Sequence, residues 1–336
     1  MLSAPKAAYV VVGAATLIAL PWLGSSFVLT TAIATCYLAY QSLAWNLIGG
    51  LAGQFSLGNT IFIGAGAYTS SYLFVRFGVS PMIGIWAGAL LAVVLSYLIG
   101  AATFRLNLRG LYFAMVTLAL AEMAQVLVEN TEALGAAYGL LIPVRGTDVV
   151  ALQFESRAVY YYIILGMVVA AAVIMTAIQR SRIGLMLEGL KDNEAAARAV
   201  GVPVIRNMQM MFAMSAFLAA LGGTFMAQYT LFIDPKATFS WHEAVLFLLP
   251  AIIGGTRHWS GPVVGAILLQ LLSDVTRLAF GAKVGGLAQL IYGVVVIVVV
   301  MRTRVGIVDW YVERRQARAA AARLASTEPG PSDAAA

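Results

Sequence analysis

Charge, histidine and cysteine are all scarce in this chain. Of its 336 residues only 11% are Asp, Glu, Lys or Arg, where a soluble domain carries about 25%. So few charges cannot clothe an ordinary cytosolic enzyme. The single cysteine, Cys36, excludes an intramolecular disulfide, and its place in an apolar run makes it a packing residue that says nothing of redox compartment. There are two histidines. His242-Glu243 begins an H-E-x-x-H pattern, but position 246 is Leu, so the spacing of a zinc protease is absent. No G-x-x-x-x-G-K-[ST] segment occurs, so the chain has no P-loop of its own and any ATP-driven work needs a partner. Gly64-x-Gly66 lacks both the third glycine and the preceding strand of a dinucleotide fingerprint. No metal or organic cofactor site is expected. Nor is nucleic acid, because no basic patch is interleaved with stacking aromatics outside the apolar runs.

What the chain has is length of apolar sequence. Apolar residues make up 61%, the mean hydropathy is +0.87, and the runs are continuous rather than striped. A spanning helix needs about 20 such residues. Spans are expected near 7–23, 27–48, 55–75, 82–104, 111–130, 159–179, 208–232, 241–256, 261–280 and 285–301. The fold class is therefore all-α, a polytopic transmembrane bundle of about ten spans. Lys6 and the run that follows resemble a signal peptide, but apolar sequence resumes at Phe27 and the first run is read as a span. With the N-terminus inside, fifteen of the 21 Lys and Arg fall on the cytoplasmic side, as the positive-inside rule requires. The third and eighth spans are interrupted by glycine and polar residues. They are kept because losing one would place the basic tail or the basic loop outside. Both termini are then cytoplasmic.

Residues 1–303 form the membrane domain. Two of its segments lie outside lipid: an external loop over 131–157 and a cytoplasmic stretch over 180–207. Residues 304–336 are an Arg- and Ala-rich cytoplasmic tail that begins as a short surface helix and ends disordered.

Three stretches carry chemistry. From Asn46 to Tyr68 six glycines fall among Gln54, Ser56 and Asn59. Irregular backbone at membrane depth is tolerated only against protein or a water-filled cavity, so this reads as a broken helix lining a pathway; tight packing of small residues is the alternative. In the fifth span Glu122, Gln125 and Glu129 share one helical face. An acid in hydrocarbon costs on the order of 3 kcal/mol, which gives Glu122 a pathway or subunit-facing role, or a hydrogen bond to a neighbouring helix. In the 180–207 stretch Ile183, Leu187 and Leu190, then Ala195 to Ala199, form short amphipathic helices stopped by Gly201 and Pro203. A compact knob of this kind suits docking.

With these stretches in place, the chain resembles the LivM-type permeases of branched-chain amino acid ABC transporters. The matching segments are Asn46 to Tyr68, Gly110 to Glu122, Arg180 to Val202, and Ile253 to Ala266. The resemblance implies an inner-membrane importer in which this chain pairs with a related permease, two ATPase subunits and a periplasmic binding protein. It carries the family's coupling segment onto Glu194, Ala195, Ala196 and Gly201, with Arg182, Gly184 and Asp192 in the same matched loop. The substrate pathway would involve Asn46, Gln54, Ser56, Asn59, Glu122 and Gln125. Two positions depart from the family's pattern: Asn59 stands where His is common, and Arg257, beside His258, stands where a further Gly is common. Permeases for urea, amides and aromatic carboxylates share the framework, so the substrate stays open. A secondary transporter energised by an ion gradient is the competing class; it would use Glu122 and the break, and would leave the knob unexplained.

Overall fold

Capping residues set where the apolar runs become helices. Ser25, Ser80, Ser156, Ser181, Asn193 and Ser240 each accept a hydrogen bond from a backbone N–H two or three residues on, and each begins a helix. A computed structural model describes residues 21, 25–146, 151–280, 287–302 and 306–315. Its helices are α1 (Ser26–Asn46), α2 (Asn59–Phe77), α3 (Pro81–Arg105), α4 (Leu111–Glu129), α5 (Arg157–Arg180), α6 (Arg182–Asp192) and α7 (Glu194–Ala199). They continue with α8 (Val204–Thr230), α9 (Pro235–Thr238), α10 (Trp241–Gly254), α11 (Ser260–Phe280), α12 (Leu287–Arg302) and α13 (307–315).

Among the described residues seven helical segments are long and apolar enough to cross a membrane: Ser26–Leu51, Pro81–Arg105, Leu111–Glu129, Arg157–Arg180, Val204–Thr230, Pro235–Gly254 and Ser260–Ala279. Of the ten expected, the run at 7–23 lies outside the described residues. The runs at 55–75 and 285–301 are helical as α2 and α12 but are not among the seven. In α2 the glycines, threonines and serines dilute the apolar content, and α12 is described over only 16 residues.

The bundle is organised around α8, which packs along α2 and α3 and touches α1. Small residues make this possible. A Cβ at Gly66 would collide with the Ala220 carbonyl, and one at Gly223 with the Ile63 carbonyl, so α2 and α8 meet backbone to backbone, as small-residue interfaces in membranes allow. Thr224 Oγ1 donates to Gly66 O across the same contact, at 3.0 Å. Towards the α6/α7 end, Phe62, Phe104, Phe113 and Phe212 form an aromatic cluster with ring centroids 5.2 to 5.9 Å apart, joining α2, α3, α4 and α8. A second group, α1, α5, α10 and α11, packs beside α8, while α4 sits at the edge.

At the opposite end the 131–157 loop is tied down. Leu140–Leu141 (β1) pairs antiparallel with Phe232–Ile233 (β2), with Leu140 opposite Ile233. Gln153, buried, holds Arg145 N and Pro143 O. Arg145 reaches Val75 O and lies 5.1 Å over the Phe74 ring. The one free cysteine, Cys36, is partly buried against the core.

Candidate functional site

The glycine-rich segment interrupts the backbone. α1 ends at Asn46, continues as a π-helical turn over Leu47–Leu51, and gives way to non-helical chain until α2 starts at Asn59. A π turn widens the helix by one residue; such turns are rare and are found frequently at functional sites. Gly53, at φ +68, supplies the left-handed residue that reverses the chain after the turn. The break is held by Trp45 Nε1 donating to Ser56 O at 2.7 Å and by Leu57 N donating to Thr117 Oγ1 at 3.1 Å.

Four of the residues expected in a pathway are brought together here, and all are buried: Asn46, Gln54, Ser56 and Asn59. They are incompletely satisfied. Asn46 Nδ2 donates to Thr256 O at 3.1 Å, but its Oδ1 has no partner. Gln54 Nε2 finds only the Met208 sulfur, at 3.8 Å, and its Oε1 has none. Asn59 Oδ1 accepts from Ser215 at 3.4 Å, leaving Nδ2 alone. Further along α1, α2 and α8, Gln41 Oε1, Ser42 Oγ, Tyr68 OH, Ser71 Oγ and both ends of Gln228 are also buried without partners. Buried polar atoms are almost always paired, and here the unpaired ones concentrate on α1, α2 and α8 and on the break between α1 and α2.

Glu122 is not part of that group. It is exposed on α4 beside Met115, Met123 and Val126, facing away from the other described helices. Gln125 turns to Glu129, with Nε2 to Oε1 at 2.9 Å.

At the opposite end from α6 and α7 a cavity of about 390 Å³ opens between α1, α2, α8 and α10. Its walls are apolar at Tyr37, Ile63, Met226 and Phe247, and its polar groups are Thr230, Thr238, Asp234 and Glu243. Asp234 caps α9 by accepting from Lys236 N. Among the described residues neither carboxylate joins an ion pair. The sequence presents Glu243 only as half of a failed zinc motif. The signal that could have found it is an acid placed in the first turn of a spanning helix.

The knob consists of α6 and α7. Ser181 and Asn193 cap them, and Gly201, at φ +86, ends α7 in the left-handed conformation that a side chain resists. Gly184 lets the first turn of α6 close over the Ile178 and Gln179 carbonyls. Leu187, Leu190 and Ala197 face inward. Arg182, Asp192, Ala195 and Ala196 are exposed, as are Leu185 and Val200 at 69% and 80%, so apolar groups face solvent on the outer side. Glu194 is turned inward: its carboxylate pairs with Arg109 and Arg198, and Arg198 also donates to Asn107 Oδ1 at 3.1 Å. That fastens α7 to the α3–α4 connection.

A second cavity, about 340 Å³, lies between α6, the 256–258 turn and α13. Asp309, 3% exposed, accepts from Arg257 N at 3.1 Å and lies 3.2 Å from His258 Nδ1, while Arg257 pairs with Glu313 at 3.0 Å. Arg257 and His258 thus anchor α13. Lys191 borders the same space and donates to Gly50 O at 2.7 Å. Desolvation, and the positive Arg257 nearby, hold its ammonium below the usual lysine range.

A bundle of membrane-length helices with an amphipathic knob at one end and buried polar groups within is the context in which the sequence comparison is decisive. The family described as "branched-chain amino acid transport system / permease component" matches residues 27–300. The chain belongs to this permease family. The permease is 27% identical over 277 residues to the high-affinity branched-chain amino acid transport system permease protein LivM of Escherichia coli (strain K12), covering 74% of this chain and 64% of the relative. Its identity to LivM of Salmonella typhimurium is also 27%, over 275 residues, 73% of this chain and 63% of that one. The permease therefore spans under two thirds of the length of these relatives. It is 24% identical to the fructose import permease protein FruF of Bifidobacterium longum over 323 residues, 84% of this chain and 87% of the relative. No solved structure matches.

Proposed function

We propose that this permease is the membrane-spanning subunit of an ATP-binding-cassette importer in a bacterial inner membrane, moving branched-chain amino acids or closely related solutes. Partner ATPases hydrolyse the ATP, a related permease completes the pathway, and a periplasmic binding protein delivers solute. Family membership is the observation that carries the reading. Ten spans with both termini cytoplasmic fit it, counting the run at 7–23 together with α2 and α12.

The geometry fits each step. The 390 Å³ cavity stands on the side of the 131–157 loop, where the binding protein would dock. Its apolar walls suit an aliphatic side chain, and the uncompensated carboxylates of Asp234 and Glu243 suit an ammonium group. A neutral sugar, the cargo named for FruF, would leave both charges unanswered. Below it, the half-satisfied amides of Gln41, Asn46, Gln54 and Asn59 each offer one free polar atom to a polar track. The exposed face of α6 and α7 is what an ATPase would grip. Glu122, exposed at membrane depth, is the group a second permease would cover.

The test is uptake by the complex reconstituted in proteoliposomes with its binding protein. ATP-dependent accumulation of leucine, competed by isoleucine and valine and reduced about tenfold or more in Glu243→Gln, is the expected result. Uptake driven by an ion gradient without ATP would establish a secondary transporter, and ATP-dependent uptake of a sugar would move the substrate class.

A further inference from the structure

Two polar contacts tie the break to the segments beneath it. At its start, Asn46 Nδ2 donates to Thr256 O at 3.1 Å, and Thr256 begins the turn whose Arg257 and His258 are held by Asp309 of α13. At its far side, Lys191 Nζ donates to Gly50 O at 2.7 Å, across 141 positions of sequence. The last carbonyls of a helix lack donors of their own, and Lys191 supplies one. The stem of Lys191 also runs against the chain just beyond: a Cβ at Gly53 would lie 3.2 Å from Lys191 Cγ. The π-helical turn is therefore gripped at one end by a turn anchored through α13 and at the other by the last turn of α6.

The two knob helices have separate attachments. α7 is fastened to the α3–α4 connection through Glu194, Arg109, Arg198 and Asn107. α6 reaches the break through Lys191. A displacement of α6 relative to the 256–258 turn must stretch or release the turn at 47–51, and with it the buried amides of Asn46 and Gln54. We infer that Lys191 is the strut that transmits movement of α6 to the glycine break, making it a positioning residue for transport. The inference rests on the importer reading and adds to it a role for Lys191, a residue of α6 to which that reading gave none.

The strut is a charged donor, and its charge is sensitive to its surroundings. Arg257 opposes it; Glu188, Asp192 and Asp309 favour it; His258 and Glu313 border the same cavity. Because the Lys191 pKa is lowered, the ammonium is lost at a less alkaline pH than that of a solvated lysine. Arginine at this position keeps its charge throughout.

The experiment uses the complete transporter in proteoliposomes, comparing Lys191→Met and Lys191→Arg with the unaltered complex for ATP hydrolysis, uptake and their pH profiles. In Lys191→Met, hydrolysis stays within about twofold while uptake falls about tenfold, so more ATP is spent per solute moved. Lys191→Arg restores uptake and shifts its alkaline limb to higher pH. A second measurement needs no variant at Lys191: spin labels at Leu51 and Glu188 keep a constant separation through the nucleotide cycle while both move relative to a label at Trp259. Normal uptake per ATP in Lys191→Met, parallel loss of hydrolysis and uptake, or a Leu51–Glu188 separation that changes through the cycle would each overturn the strut. Absence of ATP-dependent uptake in the unaltered complex would overturn the importer reading with it.

Discussion

Helices α8 and α4 are almost equally apolar, with mean hydropathy of 1.7 and 1.8 over their most apolar 18 residues, yet 72% of that stretch is buried in α8 and 28% in α4. Hydropathy places both in the membrane. It does not say which one faces lipid. The difference lies in residue size: α8 carries Ala219, Ala220, Gly222, Gly223 and Thr224 around a single Leu221, and these admit the backbone of α2 and neighbouring side chains of α1. The outward positions of α4 are Tyr112, Met115, Met123, Val126 and Leu127, which are large and exposed, with Glu122 among them. Within a bilayer there is no hydrophobic drive to bring helices together, so close fit decides the interior. On the proposed reading, the acid on the outer side of this edge helix lies on the face a second permease would cover.

That contrast breaks most readily at α8. Gly223→Leu puts a side chain into the Ile63 carbonyl and forces α2 away from α8. Overpacking of this kind costs on the order of 3 kcal/mol, and the expected outcome in a detergent melt is loss of the cooperative transition, with little folded protein recovered. A leucine tolerated without a shift in melting would mean that the α2–α8 contact is looser than the backbone-to-backbone fit described above.

A smaller effect is expected at the knob. Arg109→Ala removes the principal partner of Glu194, whose side chain is 14% exposed against 45% for Arg109. Because the Arg109 guanidinium is exposed and Arg198 still pairs the Glu194 carboxylate, the cost to the fold is about 1 kcal/mol or less. The loss is local: limited proteolysis between 194 and 203 accelerates while the melting temperature of the bundle holds, and uptake falls several-fold.

Much of this architecture is legible in the sequence, and the limits are instructive. The expected span at 111–130 is α4 at 111–129, that at 82–104 is α3 at 81–105, and the knob begins after Arg180 and stops at Gly201, because caps, glycine and proline act locally. The helix within the expected third span begins at 59 rather than 55, since the glycine-rich chain before it does not sustain a helix. What could not be read are pairings across long separations. Lys191 with Gly50, Asn46 with Thr256 and Asp309 with His258 are set by how helices pack. The pairing of Leu140–Leu141 with Phe232–Ile233 is too short to leave a pattern. The chemistry of Glu122 groups it with the break, but the rotation of α4 within the bundle leaves it exposed on the outer side.

The smallest effect on the isolated chain is expected at that residue. Glu122→Leu leaves the melting temperature of the chain within the equivalent of about 0.5 kcal/mol, as surface substitutions do, and acts instead on assembly: the amount of second permease recovered with the tagged chain falls several-fold. Undiminished recovery would show that the α4 face is not the pairing surface.

Whether the permease works only as one subunit of an ATP-driven complex is read out by extracting the tagged chain from its native membrane in mild detergent and identifying its companions by mass spectrometry. The account predicts that an ATPase and a second permease come with it in fixed proportion. A chain recovered alone that still supports gradient-driven uptake would contradict it.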